Sequence, residues 1–125
     1  MKSMRYSAAA VAMVAVLAAC SSTPAAQSPA AADADVTVTA ANIEFVETTL
    51  TVPAGEAFTL ALVNEDAAQH NVSIYTDSSA SESLFVGEYV GEGTIVYDVP
   101  ALEPGEYFFR CDLHPEMTGT LVVEG

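Results

Sequence analysis

From residue 36 onward, apolar and polar residues alternate in short runs separated by turn signals. VTVTA (36–40) alternates strictly, and TLTV (49–52) stops at Pro53-Ala54-Gly55. AFTLALVN (57–64) puts Phe58, Leu60 and Leu62 on one face, and HNVSIY (70–75) does the same with His70, Val72 and Ile74. TIVYDV (94–99) aligns Ile95, Tyr97 and Val99; after the turn at EPG (103–105), EYFFRC (106–111) aligns Tyr107, Phe109 and Cys111. TGTLVVE (118–124) ends the series. A period of two, recurring every 8–12 residues between turns, predicts an all-β sandwich or barrel rather than a helical fold. No stretch of helical period follows the N-terminal segment, and the chain contains no internal repeat. A domain of about 90 residues is small, yet sandwiches of that size fold alone.

The first 35 residues follow different patterns. Lys2 and Arg5 form a basic start, and Tyr6 to Ala19 is an apolar run of 14 residues. That run is shorter than the roughly 20 residues of a membrane-spanning helix and reads as an export signal. It ends Leu17-Ala18-Ala19-Cys20, which resembles the bacterial lipobox. The resemblance implies cleavage before Cys20 and attachment of a diacylglycerol to its sulfur. The alternative is a plain secretory signal cut at a nearby Ala-x-Ala, with Cys20 incidental. Each buried acyl methylene adds about 0.8 kcal/mol, so two or more chains anchor stably where one does not. SSTPAAQSPAAADA (21–34) lacks large apolar residues and is expected to be a flexible linker reaching roughly 20 Å. The expected division is a signal peptide at 1–19, a lipidated cysteine and linker at 20–34, and one folded domain at 35–125.

Charge narrows the partners. The chain has 17 acidic and 3 basic residues, and two of the basic ones are Lys2 and Arg5. Removal of the signal leaves only Arg110 against 17 acids, a net charge of 1 − 17 = −16. Nucleic-acid binding needs a basic footprint and is excluded. The acidity suits a basic protein partner or a saline surrounding; simple solubility is the equal alternative.

The residues able to ligate soft metals are few, and they are gathered together. The chain has two cysteines, two histidines and four methionines. FFRCDLHPEMTG (108–119) holds Cys111, His114 and Met117, and His70 opens another inward-facing run. Taken singly, an inward cysteine is a small apolar filler, a methionine is core, and a histidine packs on a polar neighbour. A disulfide between Cys20 and Cys111 is a further alternative in an exported chain, though acylation would consume the Cys20 sulfur. Taken together, the four residues form a ligand set at two strand ends that a sandwich can bring together. Thiolate and imidazole suit zinc as well as copper. A thioether favours copper, because two His, one Cys and a weak axial Met form the blue-copper set.

Three segments carry a family resemblance: FVETTLTVPAGEAFTLALVNED (45–66), HNV (70–72) and PGEYFFRCDLHPEMTGTLVV (104–123). Together they resemble a cupredoxin of the plastocyanin/amicyanin group, with the Cys-x2-His-x2-Met spacing similar to amicyanins. The resemblance implies a Greek-key β-sandwich, one type 1 copper and one-electron transfer; the protein is expected to be a monomer. By position it implies His70, Cys111 and His114 as equatorial ligands and Met117 as the axial one. Asn71 matches the residue whose backbone N–H bonds the cysteine sulfur, and Tyr107 matches a core tyrosine. Three departures stand out. Leu113 occupies a position that is commonly proline, so it keeps an N–H able to donate to the same sulfur. Arg110 is expected to face out where plastocyanins often carry a tyrosine. Asp112 and Glu116 are expected to charge a rim that the family usually keeps apolar.

The expected function is a copper-binding one-electron carrier tethered outside the cytoplasmic membrane, on its outer side or in the periplasm. The alternative is a copper carrier or copper-handling protein using the same ligands without electron transfer. An enzyme is not expected, because four protein ligands leave a metal no open position.

Overall fold

The computed structural model of the chain describes residues 29–125. The expected signal segment, Cys20 and residues 21–28 of the expected linker lie outside the described residues. One helical turn, α1 (Pro29–Ala32), precedes nine strands: β1 (Val36–Ala41), β2 (Glu44–Phe45), β3 (Thr49–Pro53), β4 (Phe58–Asn64), β5 (Ser73–Tyr75), β6 (Ser83–Val86), β7 (Gly93–Val99), β8 (Gly105–Arg110) and β9 (Thr118–Glu124). They form two mixed sheets, in the orders β2-β1-β4-β7 and β3-β9-β8-β5-β6. The chain passes repeatedly from one sheet to the other, as in a Greek-key sandwich. β1 runs parallel to β4 and β3 parallel to β9, while the other ladders are antiparallel.

The alternation read from the sequence sets the faces. Phe58, Leu60, Leu62, Tyr97 and Val99 of the first sheet are buried, as are Leu50, Val52, Ile74, Phe109, Leu121 and Val123 of the second. Fully burying side chains of this size contributes about 1.5–3 kcal/mol each relative to exposure. Two ring contacts join the layers: Phe45 to Phe109 at 5.4 Å between centroids, and Phe85 to Tyr97 at 5.5 Å. β9 coincides with the TGTLVVE run, whereas β2 and β6 carry no alternation long enough to be read in advance. The His70–Tyr75 run is buried throughout, but only its last three residues form β5.

The packed structure also starts earlier than the expected boundary at residue 35. α1 lies against β4 and β7, Ala31 is buried, and its carbonyl accepts a hydrogen bond from Thr37 Oγ1 at 3.3 Å. An alanine buries its whole side chain under one helical turn, so a segment without large apolar residues can still pack. The carboxylate of Asp35 then accepts the Thr59 amide at 2.8 Å, fixing the start of β1 beside β4.

Gly119 on β9 faces the ring of Phe109, and a Cβ there would overlap that ring. Overpacking of this kind costs about 1–3 kcal/mol. Gly119→Ala is therefore expected to lower the denaturant-unfolding free energy of the metal-free protein by about that amount, with an unchanged denaturant slope.

Candidate metal centre

Two chain segments bring the ligand residues to one end of the sandwich. The first leaves β4 at Asn64, which is buried and organises the following loop. Its Nδ2 donates to the carbonyls of Ala68 (2.8 Å) and Val90 (3.0 Å), and its Oδ1 accepts the Asp66 amide (2.9 Å). His70 then exchanges both backbone hydrogen bonds with Val90, at 3.0 and 2.9 Å. The backbone of His70 is thus held independently of its side chain. The second segment is the 111–117 loop between β8 and β9. It closes on itself, because Cys111 N–H donates to the Met117 carbonyl (3.0 Å) and Met117 N–H to the His114 carbonyl (2.8 Å).

The result is a cluster of His70, Cys111 and His114, with ligand atoms all within 4.8 Å of one another. Cys111 Sγ lies 3.7 Å from Nδ1 of His70 and 3.7 Å from Nδ1 of His114. Metal–sulfur and metal–nitrogen bonds of about 2.3 and 2.0 Å, opened to a trigonal angle, put the two atoms about 3.7 Å apart. Each sulfur-to-nitrogen separation is therefore one that a shared ion could bridge. His70 and Cys111 are fully buried and Met117 is 2 % exposed. Only His114 of the four reaches the surface in part, where it lines a shallow cavity with Ile43, Leu113, Pro115 and Glu116.

The imidazole of His70 has its second nitrogen fixed. Nε2 lies 2.8 Å from Asp66 Oδ2, so Nε2 carries the proton and Nδ1 keeps its lone pair for a metal. The same carboxylate accepts the amides of Asn42 (2.8 Å) and Ile43 (3.0 Å). Both residues have positive φ, 56° and 60°. That is ordinary for an asparagine and unfavourable for a β-branched isoleucine. The Ile43 amide, against a desolvation that acts the other way, and further bonds from His70 and Asn42 hold Asp66 below the ordinary carboxylate value. One aspartate thus orients a ligand and holds in place the turn that carries Ile43 to the rim. Sequence reasoning missed Asp66. Its separation of four residues from His70 has no fixed meaning in a loop, and only the Asn64-directed turn brings the two together.

Asn71 and Asp112 follow the two buried ligands and hold each other. The Asp112 amide donates to Asn71 Oδ1 at 2.8 Å, and Asn71 Nδ2 donates to Asp112 Oδ2 at 3.1 Å. Asn71 Nδ2 also reaches the Gly87 carbonyl at 2.9 Å. Gly87 must be glycine there, since a Cβ would meet the Val72 carbonyl at 2.5 Å and the Tyr97 ring at 2.8 Å.

Asp112 does not charge the rim as the sequence led us to expect. Its carboxylate folds back onto β5 and accepts Ser73 Oγ and Tyr75 OH, both at 2.5 Å, and Arg110 Nε at 3.2 Å. Arg110 lies on the outward face of β8, as expected, but it is not free. It is partly buried, paired with Asp112 and stacked 4.9 Å above the Tyr75 ring. The reason in both cases is that three hydroxyl and amide donors on Asn71, Ser73 and Tyr75 converge on the position after Cys111. Burial pushes the Asp112 carboxyl up, but the bonds from Ser73, Tyr75, Asn71 and Arg110 outweigh it and hold it below the ordinary value. Glu116 and Leu113 are exposed at the rim as expected, and Tyr107 caps its own turn through a 2.8 Å bond to the Glu103 carbonyl.

A nearly all-β sandwich with a buried cysteine sulfur between two imidazoles, and a methionine closing the same loop, defines the class of single-metal β-sandwich proteins. Residues 9–123 match the Cupredoxin-like domain, and the chain belongs to that family. No curated protein matches the chain. Among solved structures, dithionite-reduced auracyanin from Roseiflexus castenholzii is similar in fold, with a TM-score of 0.64 at 21% identity over 72% of this chain and 96% of that one. An oxidised proline-to-glycine variant of amicyanin is similar at 27% identity and TM-score 0.60, covering 79% of this chain and 90% of that one. The Cu(I) form of a methionine-to-alanine amicyanin variant matches at 29% identity and TM-score 0.57, over 74% and 84% of the two chains.

Loss of an outer partner of a metal-ligating histidine typically costs about 10–100-fold in metal affinity. Asp66→Ala is expected to lose that much in a chelator-competition titration. Asp66→Asn, which keeps an acceptor for His70 Nε2, is expected to recover part of it.

Proposed function

We propose that the protein is an exported type 1 copper protein that carries single electrons. The observation that carries this reading is the placement of Cys111 Sγ 3.7 Å from both imidazole Nδ1 atoms, with Met117 buried in the same closed loop. His70, Cys111, His114 and Met117 would together hold the ion, a donor set that suits copper. A bound copper supplies one-electron chemistry between Cu(II) and Cu(I). The chain supplies the rest. The thiolate and thioether favour the reduced state, and the imidazoles accept both. The fixed loops resist change of geometry when the charge changes. Amides of Asn71 and Leu113 are proposed donors to the Cys111 sulfur, which would ease reduction by drawing density from the thiolate.

Electrons are proposed to pass through the edge of His114, the one ligand that reaches the surface. Leu113, Pro115 and Ile43 surround it and would exclude water at a docked partner. The acidity of the chain favours a basic redox partner. The N-terminal segment supports export and lipid attachment at Cys20, on the outer side of the cytoplasmic membrane or in the periplasm. Among the described residues, no helix is long and apolar enough to cross a membrane.

Stoichiometric Cu(II) is expected to give the intense visible band and narrow EPR hyperfine splitting of a copper–thiolate site. Cys111→Ser is expected to abolish the band, because it belongs to the sulfur–copper bond. A carrier retains copper through repeated redox cycles. Loss of Cu(I) to a mild acceptor within one cycle would instead favour copper handling.

A charge beside His114 is expected to slow electron exchange more than the same charge elsewhere. Leu113 is 50% exposed at the rim, and Val96 is 37% exposed on β7. Leu113→Glu should reduce the rate of electron self-exchange, followed by NMR line broadening, well below that of Val96→Glu.

A further inference from the structure

Asp112 is an acid where the fold needs none. Its backbone amide already makes the bond that holds the loop to Asn71, so the main chain is secured whatever side chain follows Cys111. Yet the side chain is a carboxylate, 17% exposed, with Asn71, Ser73, Tyr75 and Arg110 all donating to it. All four donate to it, and the Arg110 guanidinium pairs with it as a carboxylate. It stands one residue from the thiolate, and the chain's one cation beyond Arg5 is paired with it.

We propose that the Asp112 carboxylate is a built-in anion that sets the redox preference of the site, favouring Cu(II) over Cu(I), with Arg110 as its partial counterweight. The proposal rests on the type 1 copper reading. Reduction adds one electron from a donor protein to the site, makes and breaks no bond, and lowers the local charge by one. A nearby fixed negative charge disfavours that change, more strongly in a poorly solvated interior than in water. Arg110 acts in the opposite sense but more weakly. Alternation along β8 turns it away from the face shared by Phe109 and Cys111. Its guanidinium sits over Tyr75, and its side chain is 27% exposed, more open to screening than the carboxylate. Asp112 is thus a positioning and tuning residue, acting on the metal through space and through Cys111.

The test is protein-film voltammetry at neutral pH on the copper-loaded protein and three variants, each checked for its visible spectrum. Asp112→Asn is expected to shift the Cu(II)/Cu(I) balance towards Cu(I) by about tenfold, which is 59 mV for one electron, with the spectrum still type 1. Arg110→Gln is expected to shift it the other way. Tyr75→Phe removes a hydrogen bond and no charge, so it should not raise the potential. An unchanged or lowered potential in Asp112→Asn would overturn the proposal. So would upward shifts of equal size in Asp112→Asn and Tyr75→Phe, which would assign the effect to packing rather than charge. If Asp112→Asn does not fold, Arg110→Gln decides alone, and no downward shift there refutes the idea. A wild-type protein without a type 1 spectrum would instead sink the copper reading itself.

Discussion

The arrangement depends most on the antiparallel pairing of β5 with β8. Its register sets Ser73 opposite Arg110 and Ile74 opposite Phe109. Continued past the ends of both strands, the same register brings Asn71 opposite Asp112. There the backbone ladder gives way to a side-chain ladder, in which the Asn71 amide group takes one hydrogen bond from Asp112 and returns another. His70 and Cys111 flank that pair, 3.7 Å apart at their ligand atoms. A slip of one residue would reverse every side chain between the faces and part the ligands altogether. Hydrophobic burial makes such a slip unfavourable, since Ile74 and Phe109 would leave the core.

The rest of the sandwich holds that pairing rigid. β9 packs its Gly119 under Phe109, and Phe109 reaches across to Phe45. Gly87 lets β6 and its following turn approach Val72 and Tyr97 closely enough to meet the Asn71 side chain. Ligand loops anchored on such a frame gain little freedom to follow a change in metal charge. That is the structural condition for electron transfer with small reorganisation.

Two aspartates divide the polar work around the ligands. Asp66 fixes the buried histidine and the turn bearing Ile43, so the metal site and the apolar rim share one anchor. Asp112 follows Cys111 in the chain and gathers the hydroxyls of Ser73 and Tyr75. Neither carboxylate belongs to the diffuse acidity of the surface. In so acidic a chain, composition alone could not single them out.

The sequence by itself determined the inward faces of the longer strands, because a period of two is a local property. It also determined the candidate ligands, because His70, Cys111, His114 and Met117 are the only residues of their kinds after Met13 and Cys20. The short strands β2 and β6 were not legible, since two to four residues carry too little alternation to be told from loop. The early start of the packed structure at α1 was not legible either, because an alanine-rich turn resembles a linker until a sheet lies beside it. The role of Asp66, and the pairing of Asp112 with Arg110, were decided only by tertiary structure. A carboxylate's role depends on which donors converge on it. For Asp112 those donors come from residues up to 41 positions away, brought close by strand pairing that no local pattern encodes.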